Sequence, residues 1–215
     1  MIIPVKIRLM FLDINLGYKH FWGESNEQQG IEKNNRGDSL KNLYLAIPNE
    51  THEKAYTEMI SRWEIIEERI DPSLLGRYSD NKKRSLTYAE WLACCEDDRT
   101  TGSMLSTGVP CTLYFLVNGS GEILGSIEIN HANTRRGHIH MGIAPWNRRK
   151  GFGKIMLGLA LEKCREMGFD KGEICTHRDN IGAIKTILEN GGVLTEEFFE
   201  NNIWNQRYSI ELRYK

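Results

Sequence analysis

Apolar residues along the chain repeat with two different periods, and each change of period marks a predicted element. Residues 43–47 form a short apolar run stopped by Pro48, which predicts a strand. Apolar side chains then recur every three or four positions over residues 56–70, which is the period of a helix. The Asp71-Pro72 pair is predicted to end this helix, because a proline disfavours helical backbone in the residue before it.

The middle of the chain is predicted to hold a second helix and three strands. Thr87 and Glu90 have the spacing of a capping box, which predicts the start of a helix. Residues 111–117 and 123–129 are apolar runs separated by an Asn-Gly-Ser-Gly turn, so we expect a hairpin. Residues 138–144 are predicted to form the third strand.

The last third of the chain alternates between the two periods. Residues 153–167 and 181–189 have the apolar spacing of helices, and residues 173–176 between them are typical of a buried strand. Two final apolar runs, residues 193–199 and 203–212, predict a closing hairpin around an Asn-Asn pair. The element order β-α-α-β-β-β-α-β-α-β-β predicts an α/β fold, a mixed sheet with helices on both faces.

The chain is long enough for one well-buried core, with 215 residues of which 40% are hydrophobic. Residues 23–42 are polar and contain three glycines, which is typical of a linker. We therefore expect an N-terminal extension over residues 1–42 and a single domain over residues 43–215.

Charge and cysteine content limit the classes of partner. The 28 Lys and Arg residues nearly balance the 29 Asp and Glu residues, so bulk charge favours neither nucleic acid nor an anionic membrane as a partner. Five cysteines without a C-x-x-C pair predict reduced thiols, no zinc site and a cytoplasmic protein. The apolar N-terminus is broken by charges and is too short for a membrane span.

Residues 148–154, with the sequence Arg-Arg-Lys-Gly-Phe-Gly-Lys, lie where a predicted strand leads into a predicted helix. Backbone N–H groups at a helix start can converge on an anion, and the cations add positive charge. Gly151 and Gly153 would let the backbone approach a pyrophosphate closely. The glycine spacing fits neither a Walker loop nor a dinucleotide-binding fingerprint.

Two blocks of sequence resemble the GNAT superfamily of N-acetyltransferases, in particular a bacterial-type subgroup of predicted acetyltransferases. The first is residues 143–153, in which a strand and a proline turn precede an Arg-x-x-Gly-x-Gly loop. The second is the Asn-Ile-Gly-Ala of residues 180–183, followed by the Glu-Asn-Gly-Gly of residues 189–192. The resemblance extends over residues 43–212.

The resemblance implies a mostly antiparallel sheet with a splayed strand pair that holds acyl-CoA. It implies acetyl-CoA as co-substrate, no metal, and an amine acceptor that is a small molecule, peptide or protein. The strand before the loop would offer backbone groups to the pantetheine, and the loop and the second block would hold the rest of the coenzyme. The implied cofactor-binding residues are Met141, Gly142, Ile143, Arg148, Arg149, Lys150, Gly151, Phe152, Gly153, Lys154, Asn180 and Ala183.

Acyl transfer to an amine needs a base, because an alkyl ammonium with a pKa of about 10.4 must lose a proton at neutral pH. His138 and His140 are two residues apart on one predicted strand, so we expect them on one face, and either could be the base. Glu128 on the preceding strand is the third candidate. Relatives that carry a tyrosine as general acid have it at the position of Ile187, so no general acid is assigned.

The leading hypothesis from the sequence is direct transfer of an acetyl group from acetyl-CoA to a primary amine, by a monomer or homodimer. The alternative is a catalytically silent acyl-CoA sensor or regulatory module, which the isoleucine at position 187 keeps open. Nucleic-acid binding through short basic runs has little support at a net charge of -1.

Overall fold

A computed structural model of the chain describes residues 42–67, 70–72, 75, 86–102 and 108–213. The predicted extension, residues 1–42, lies outside the described residues except for Asn42, and its boundary stays a prediction. The predicted domain is described over most of its length.

The described residues form seven strands and four α-helices in the predicted order. The strands are β1 (Tyr44–Ala46), β2 (Cys111–Val117), β3 (Ile123–Asn130), β4 (Ile139–Ile143), β5 (Lys171–His177), β6 (Val193–Glu200) and β7 (Ile203–Glu211). The helices are α1 (Glu53–Ile66), α2 (Tyr88–Thr100), α3 (Phe152–Glu166) and α4 (Ile181–Leu188). Short 3₁₀ turns lie at Glu50–His52 and Pro145–Asn147.

The strands form one sheet in the order β1-β2-β3-β4-β5-β7-β6. Every neighbouring pair is antiparallel except β4 and β5, which run parallel with α3 as their crossover. The mixed, mostly antiparallel sheet is confirmed. Asn201 and Asn202 close the β6–β7 hairpin with positive φ angles of 52° and 62°, as a primed turn requires.

Helices cover the sheet on both faces, as predicted. On one face, buried side chains of α3 such as Met156 and Leu157 pack with Ile127 of β3. On the other face, α1 and α2 pack Trp63 and Trp91 into a second core cluster. Every residue of β2 and β3 is buried, because these central strands lie between the two layers.

Helix α1 ends earlier than the sequence predicted. It stops at Ile66, because Glu67 has extended backbone angles (φ -140°, ψ 138°) and its carboxylate accepts a hydrogen bond from Trp63 Nε1 at 2.9 Å. Ile70 is buried as its apolar position predicted, but it belongs to the segment after the helix. The start of α2 is confirmed, since Glu90 N donates to Thr87 Oγ1 at 3.2 Å.

Candidate active site

Strands β4 and β5 diverge shortly after they meet. Their register consists of one pair, Ile139 with Ile174, whereas β5 and β7 pair along the whole of β5. Past Ile139, the side of β4 that faces β5 is an open strand edge inside the sheet. Such an edge presents backbone donors and acceptors that an extended ligand can bind.

Two hydrogen bonds determine which residues of β4 face this open edge. Asn130 N donates to His138 O at 2.8 Å, and Ala144 N donates to Leu124 O at 3.1 Å. Backbone groups alternate sides along an antiparallel strand, so the even-numbered residues bond to β3 and the odd-numbered ones face β5.

Two of the three predicted pantetheine-binding residues of β4 therefore face the gap. The backbone groups of Met141 and Ile143 point to the open edge. Gly142 is the register partner of Ser126 and directs its backbone to β3. Its predicted role as a donor to the coenzyme is thus not supported, because its amide and carbonyl belong to the β3–β4 ladder.

The glycine loop ends at the first turn of α3. Arg149 and Gly151 both have left-handed backbone, with φ of 64° and 90°, and Gly151 is the N-cap residue of α3 without a side-chain cap. Ile155 N makes the first bond of the helix, to Gly151 O at 3.3 Å. The amides of residues 152–154 precede that bond, so they are donors for which α3 has no acceptor. Amides of this kind, together with the helix dipole, are able to bind an anion.

The helix start and the open edge adjoin each other. A Cβ atom built on Gly153 would lie 3.4 Å from Thr186 Oγ1 of α4 and 3.7 Å from the Met141 methyl group. By contrast, a Cβ on Gly151 would meet no atom of the described residues within 4 Å. The loop thus lies beside β4 and α4, while Gly151 leaves space where an anion can approach.

The side chain of Arg148 makes its hydrogen bonds to other groups of the protein. Its Nη1 and Nη2 donate to the two carboxylate oxygens of Glu67 at 2.5 and 2.8 Å, and its Nε donates to Ile143 O at 2.9 Å. This ion pair lowers the pKa of Glu67, mainly through the hydrogen bonds from Arg148. The structure therefore does not support a role for the Arg148 side chain in holding phosphate.

The other predicted loop residues offer mostly backbone. Phe152 is buried in the α3 core, so only its amide can reach a ligand. Lys150 Nζ donates to Asn147 Oδ1 at 3.4 Å, and Lys154 lies 3.6 Å from a Glu189 carboxylate oxygen. Arg149 is exposed. We infer that backbone amides carry the phosphate-binding capacity, with the lysines adding charge.

The second predicted block caps α4. Asn180 Oδ1 accepts a hydrogen bond from Ala183 N at 3.1 Å, so this oxygen and this amide are both used within the helix. Asn190 joins α4 to α3, since its Nδ2 donates to Thr186 O at 2.9 Å and to Lys154 O at 3.2 Å. The block thus positions the helix beside the loop, and the expected contact of Asn180 and Ala183 with the coenzyme stays a prediction.

His138 is held by its own surroundings. It lies at a bend before β4, its Nδ1 accepts a hydrogen bond from Glu173 N at 3.3 Å, and its ring lies 4.7 Å from that of Phe169. Burial lowers its pKa, so the ring is neutral at pH 7. A neutral ring that accepts at Nδ1 carries its proton on Nε2, which leaves no lone pair for a substrate proton.

His140 and Glu128 lie opposite each other on β4 and β3. Glu128 also pairs with Leu113, which belongs to the core cluster under α1 and α2, so this row of residues faces those helices. Phe169 near His138 packs on the other cluster. The prediction that His138 and His140 share a face is wrong, because the bend at His138 interrupts the alternation of side chains.

Burial lowers the pKa of His140, and Arg136 lowers it further, while Asp71 opposes the shift. The neutral form of His140 therefore persists below the ordinary titration range of a histidine. A half-buried, neutral imidazole beside an open strand edge is suited to accept a proton.

Two further side chains, Ile187 and Cys175, bear on the chemistry of the site. Ile187 is fully buried in the α3 core, so no hydroxyl takes the place of the family's tyrosine there. Burial raises the pKa of Cys175, which keeps that thiol protonated at neutral pH.

Sequence reasoning missed Glu67 and Asp71, which lie after α1 and approach the end of β4. Neither residue belongs to a functional motif, and the one local signal there, the Asp71-Pro72 pair, predicts only the end of a helix. In the described part of the chain, no group of three or more His, Cys, Asp or Glu side chains could hold a metal ion. None of the described helices has the length and apolar content needed to cross a bilayer.

The comparisons with known proteins agree with this geometry. A model of the Acetyltransferase (GNAT) family matches residues 63–191. Among curated proteins, no sequence match is found.

Several solved structures are similar in fold. The RimL ribosomal L7/L12 alpha-N-protein acetyltransferase in complex with coenzyme A has a TM-score of 0.56 at 13% identity, covering 81% of this chain and 98% of that one. Spermidine N-acetyltransferase from Vibrio cholerae with CoA and spermine has a TM-score of 0.54 at 13% identity, covering 79% and 95%. The structure of yncA from Salmonella typhimurium with its cofactor acetyl-CoA has a TM-score of 0.51 at 13% identity, covering 80% and 95%. At such identities these structures support the fold, and because the family match covers more than half of the sequence, the chain belongs to the GNAT family of acetyltransferases.

Proposed function

We propose that this protein transfers the acetyl group of acetyl-CoA directly to a primary amine. The observation that carries the proposal is the open edge of β4, which adjoins the uncapped start of α3. The amides of residues 152–154 would hold the diphosphate, and the backbone of Met141 and Ile143 would bind the pantetheine. Relatives of this fold with bound CoA or acetyl-CoA support the choice of coenzyme.

His140, opposite Glu128, is the residue we propose as general base. In the reaction the amine nitrogen attacks the thioester carbonyl and forms the C–N bond, its proton passes to His140 Nδ1 or Nε2, and the C–S bond breaks. The leaving thiolate, whose pKa is about 8.5, takes a proton from water, so transfer does not require a tyrosine at position 187. This assignment replaces His138, whose Nδ1 lone pair is already used.

A second candidate function is a silent acyl-CoA-binding regulator. Ile187 favours it, because this buried isoleucine removes the usual acid from the site. The two functions share coenzyme binding and differ in turnover.

The experiment that separates them incubates the full chain with acetyl-CoA and a thiol reporter, adding amines one at a time. Spermidine and a peptide with a free N-terminus are sensible first members of the panel, since acceptors of these classes are named for relatives. Amine-dependent thiol release supports the enzyme, and a strongly reduced rate in His140→Gln supports His140 as its base. Tight coenzyme binding with no release above the amine-free rate, across the panel, supports the regulator.

A further inference from the structure

We propose that Arg148 and Glu67 form a strap that positions residues 70–72 over the face of β4 that carries His140 and Gly142. This proposal rests on the proposed function for its catalytic meaning, and it gives Arg148 a positioning role where the family motif implies a phosphate contact. The strap consists of the Arg148–Glu67 pair together with its contacts to Ile143 and Trp63.

The strap is held at several points. The Arg148 guanidinium bonds both oxygens of Glu67, in the bidentate geometry that makes such pairs strong and directional. The same guanidinium donates to Ile143 O at 2.9 Å and lies 5.7 Å from the centre of a Trp63 ring. Trp63 Nε1 in turn donates to Glu67 Oε2 at 2.9 Å. The end of α1 is thereby fixed to the last residue of β4.

The strap determines which groups of the open edge remain for a ligand. Ile143 O faces the gap but is taken by Arg148. The edge therefore offers the Met141 amide and carbonyl and the Ile143 amide. An extended amide-containing chain such as pantetheine needs both donors and acceptors, and Met141 supplies both.

Residues 70–72, which come shortly after Glu67 in the chain, lie on the face of β4 that carries His140. A Cβ atom on Gly142 would overlap the carbonyl oxygen of Asp71 and lie 3.3 Å from the Trp63 ring. Gly142 and His140 point to the same side of β4, and Asp71 acts electrostatically on His140. Residues 70–72 therefore form part of the wall beside the proposed base, and the strap is the charged anchor that joins the end of α1 to β4 near them.

The test uses Glu67→Gln, Arg148→Gln and the double variant in the full chain, with Glu64→Gln as matched control. Glu64 lies on α1, three residues before Glu67, and is exposed. Two readouts are needed: CoA affinity by titration calorimetry, and the NMR titration of His140 among the six histidines. Arg148→Lys serves as a second variant, since lysine keeps the positive charge but cannot form the bidentate pair with Glu67.

Glu128 lies across the ladder from His140, while Arg136 before β4 lowers the pKa of His140 and Asp71 after α1 raises it. If the strap positions residues 70–72, its loss relieves the burial of His140 and raises the pKa of that ring toward its ordinary value, because burial is the largest cause of the lowering. Glu67 stays ionised throughout the histidine range because its own pKa is lowered, so its titration does not interfere. If the strap had a merely structural role, its loss would lower the melting temperature without changing the pKa of His140.

The expected result is a similar upward shift of the His140 pKa in both single variants and no further shift in the double variant, with CoA affinity within about 3-fold of the parent in all of them. Glu64→Gln should change nothing. Two results would overturn the strap: an unmoved His140 titration in both single variants, or a loss of CoA affinity above about 10-fold in Arg148→Gln with none in Glu67→Gln. If the parent binds no CoA, the proposed function fails, while the His140 titration still decides on the strap.

Discussion

Replacing Gly151 by aspartate tests the coenzyme loop with one added charge. Gly151 has φ of 90°, and a Cβ atom placed on it would meet no atom of the described chain within 4 Å. An aspartate therefore fits the free protein and is strained only by the left-handed backbone, at about 1 kcal/mol. Asn has nearly the same shape and the same backbone cost, so Gly151→Asn is the matched control.

The difference between the two variants isolates the Coulomb interaction with the diphosphate. Two unit charges about 5 Å apart, at an effective dielectric constant of about 20, repel by about 3 kcal/mol. This corresponds to an affinity about 200-fold lower for Gly151→Asp than for Gly151→Asn. Salt reduces the difference, so we expect it to shrink between about 0.05 and 0.5 M NaCl.

The assay is calorimetric titration of CoA into each folded variant, with melting curves as the check on folding. Both variants should melt within a few degrees of each other, because they carry the same backbone strain. Equal CoA affinities for the two variants at low salt, within about 3-fold, would refute the placement of the diphosphate at the start of α3.

Three further predictions follow from other parts of the site. His140→Gln should lower turnover by about 10²–10⁴ and regain part of the rate at high pH. In the parent, the acid limb of the kcat/KM profile should lie below the ordinary histidine pKa, because His140 is active when neutral and its pKa is lowered. A pH profile of His140→Gln with an unchanged rate would exclude His140 as the base. Gly142→Ala should destabilise the fold by about 1–3 kcal/mol through overlap with the Asp71 carbonyl, whereas Gly182→Ala on α4 should be neutral or stabilising, as denaturant melts of both variants can show. Removing residues 1–42 should leave CoA affinity within about 3-fold, since the proposed binding groups all lie in residues 141–154, and calorimetry on the shortened chain would contradict this if affinity were lost.

Local signals in the sequence were sufficient for most of the fold. Three features depend only on residues close together in the chain and can be predicted without the structure: the glycine loop, the capping box at Thr87 and the Asn-Asn turn. The element order then followed from the apolar periods, and the element order is confirmed by the structure.

Features that depend on distant residues were not predictable. The pair formed by Arg148 and Glu67 joins positions 81 residues apart. It engages Arg148, a side chain expected to bind phosphate, and it involves Glu67, the residue at which α1 ends earlier than predicted. Likewise, the bend at His138 depends on the bonds between its backbone and ring and Glu173 of β5, and no strand pattern within residues 138–144 signals it. Tertiary contacts of this kind override the alternation expected from one strand.

The whole proposed function depends on acetyl-CoA binding between β4 and β5, with its diphosphate on the start of α3. The most direct measurement is an NMR titration of the isotope-labelled full chain with CoA, following backbone amides. We expect saturable shifts of the Met141 and Ile143 amides together with those of residues 152–154, and smaller shifts at Gly142, whose amide bonds to β3. Saturable binding that leaves Met141, Ile143 and the start of α3 unmoved would contradict it, as would the absence of any shift at millimolar CoA.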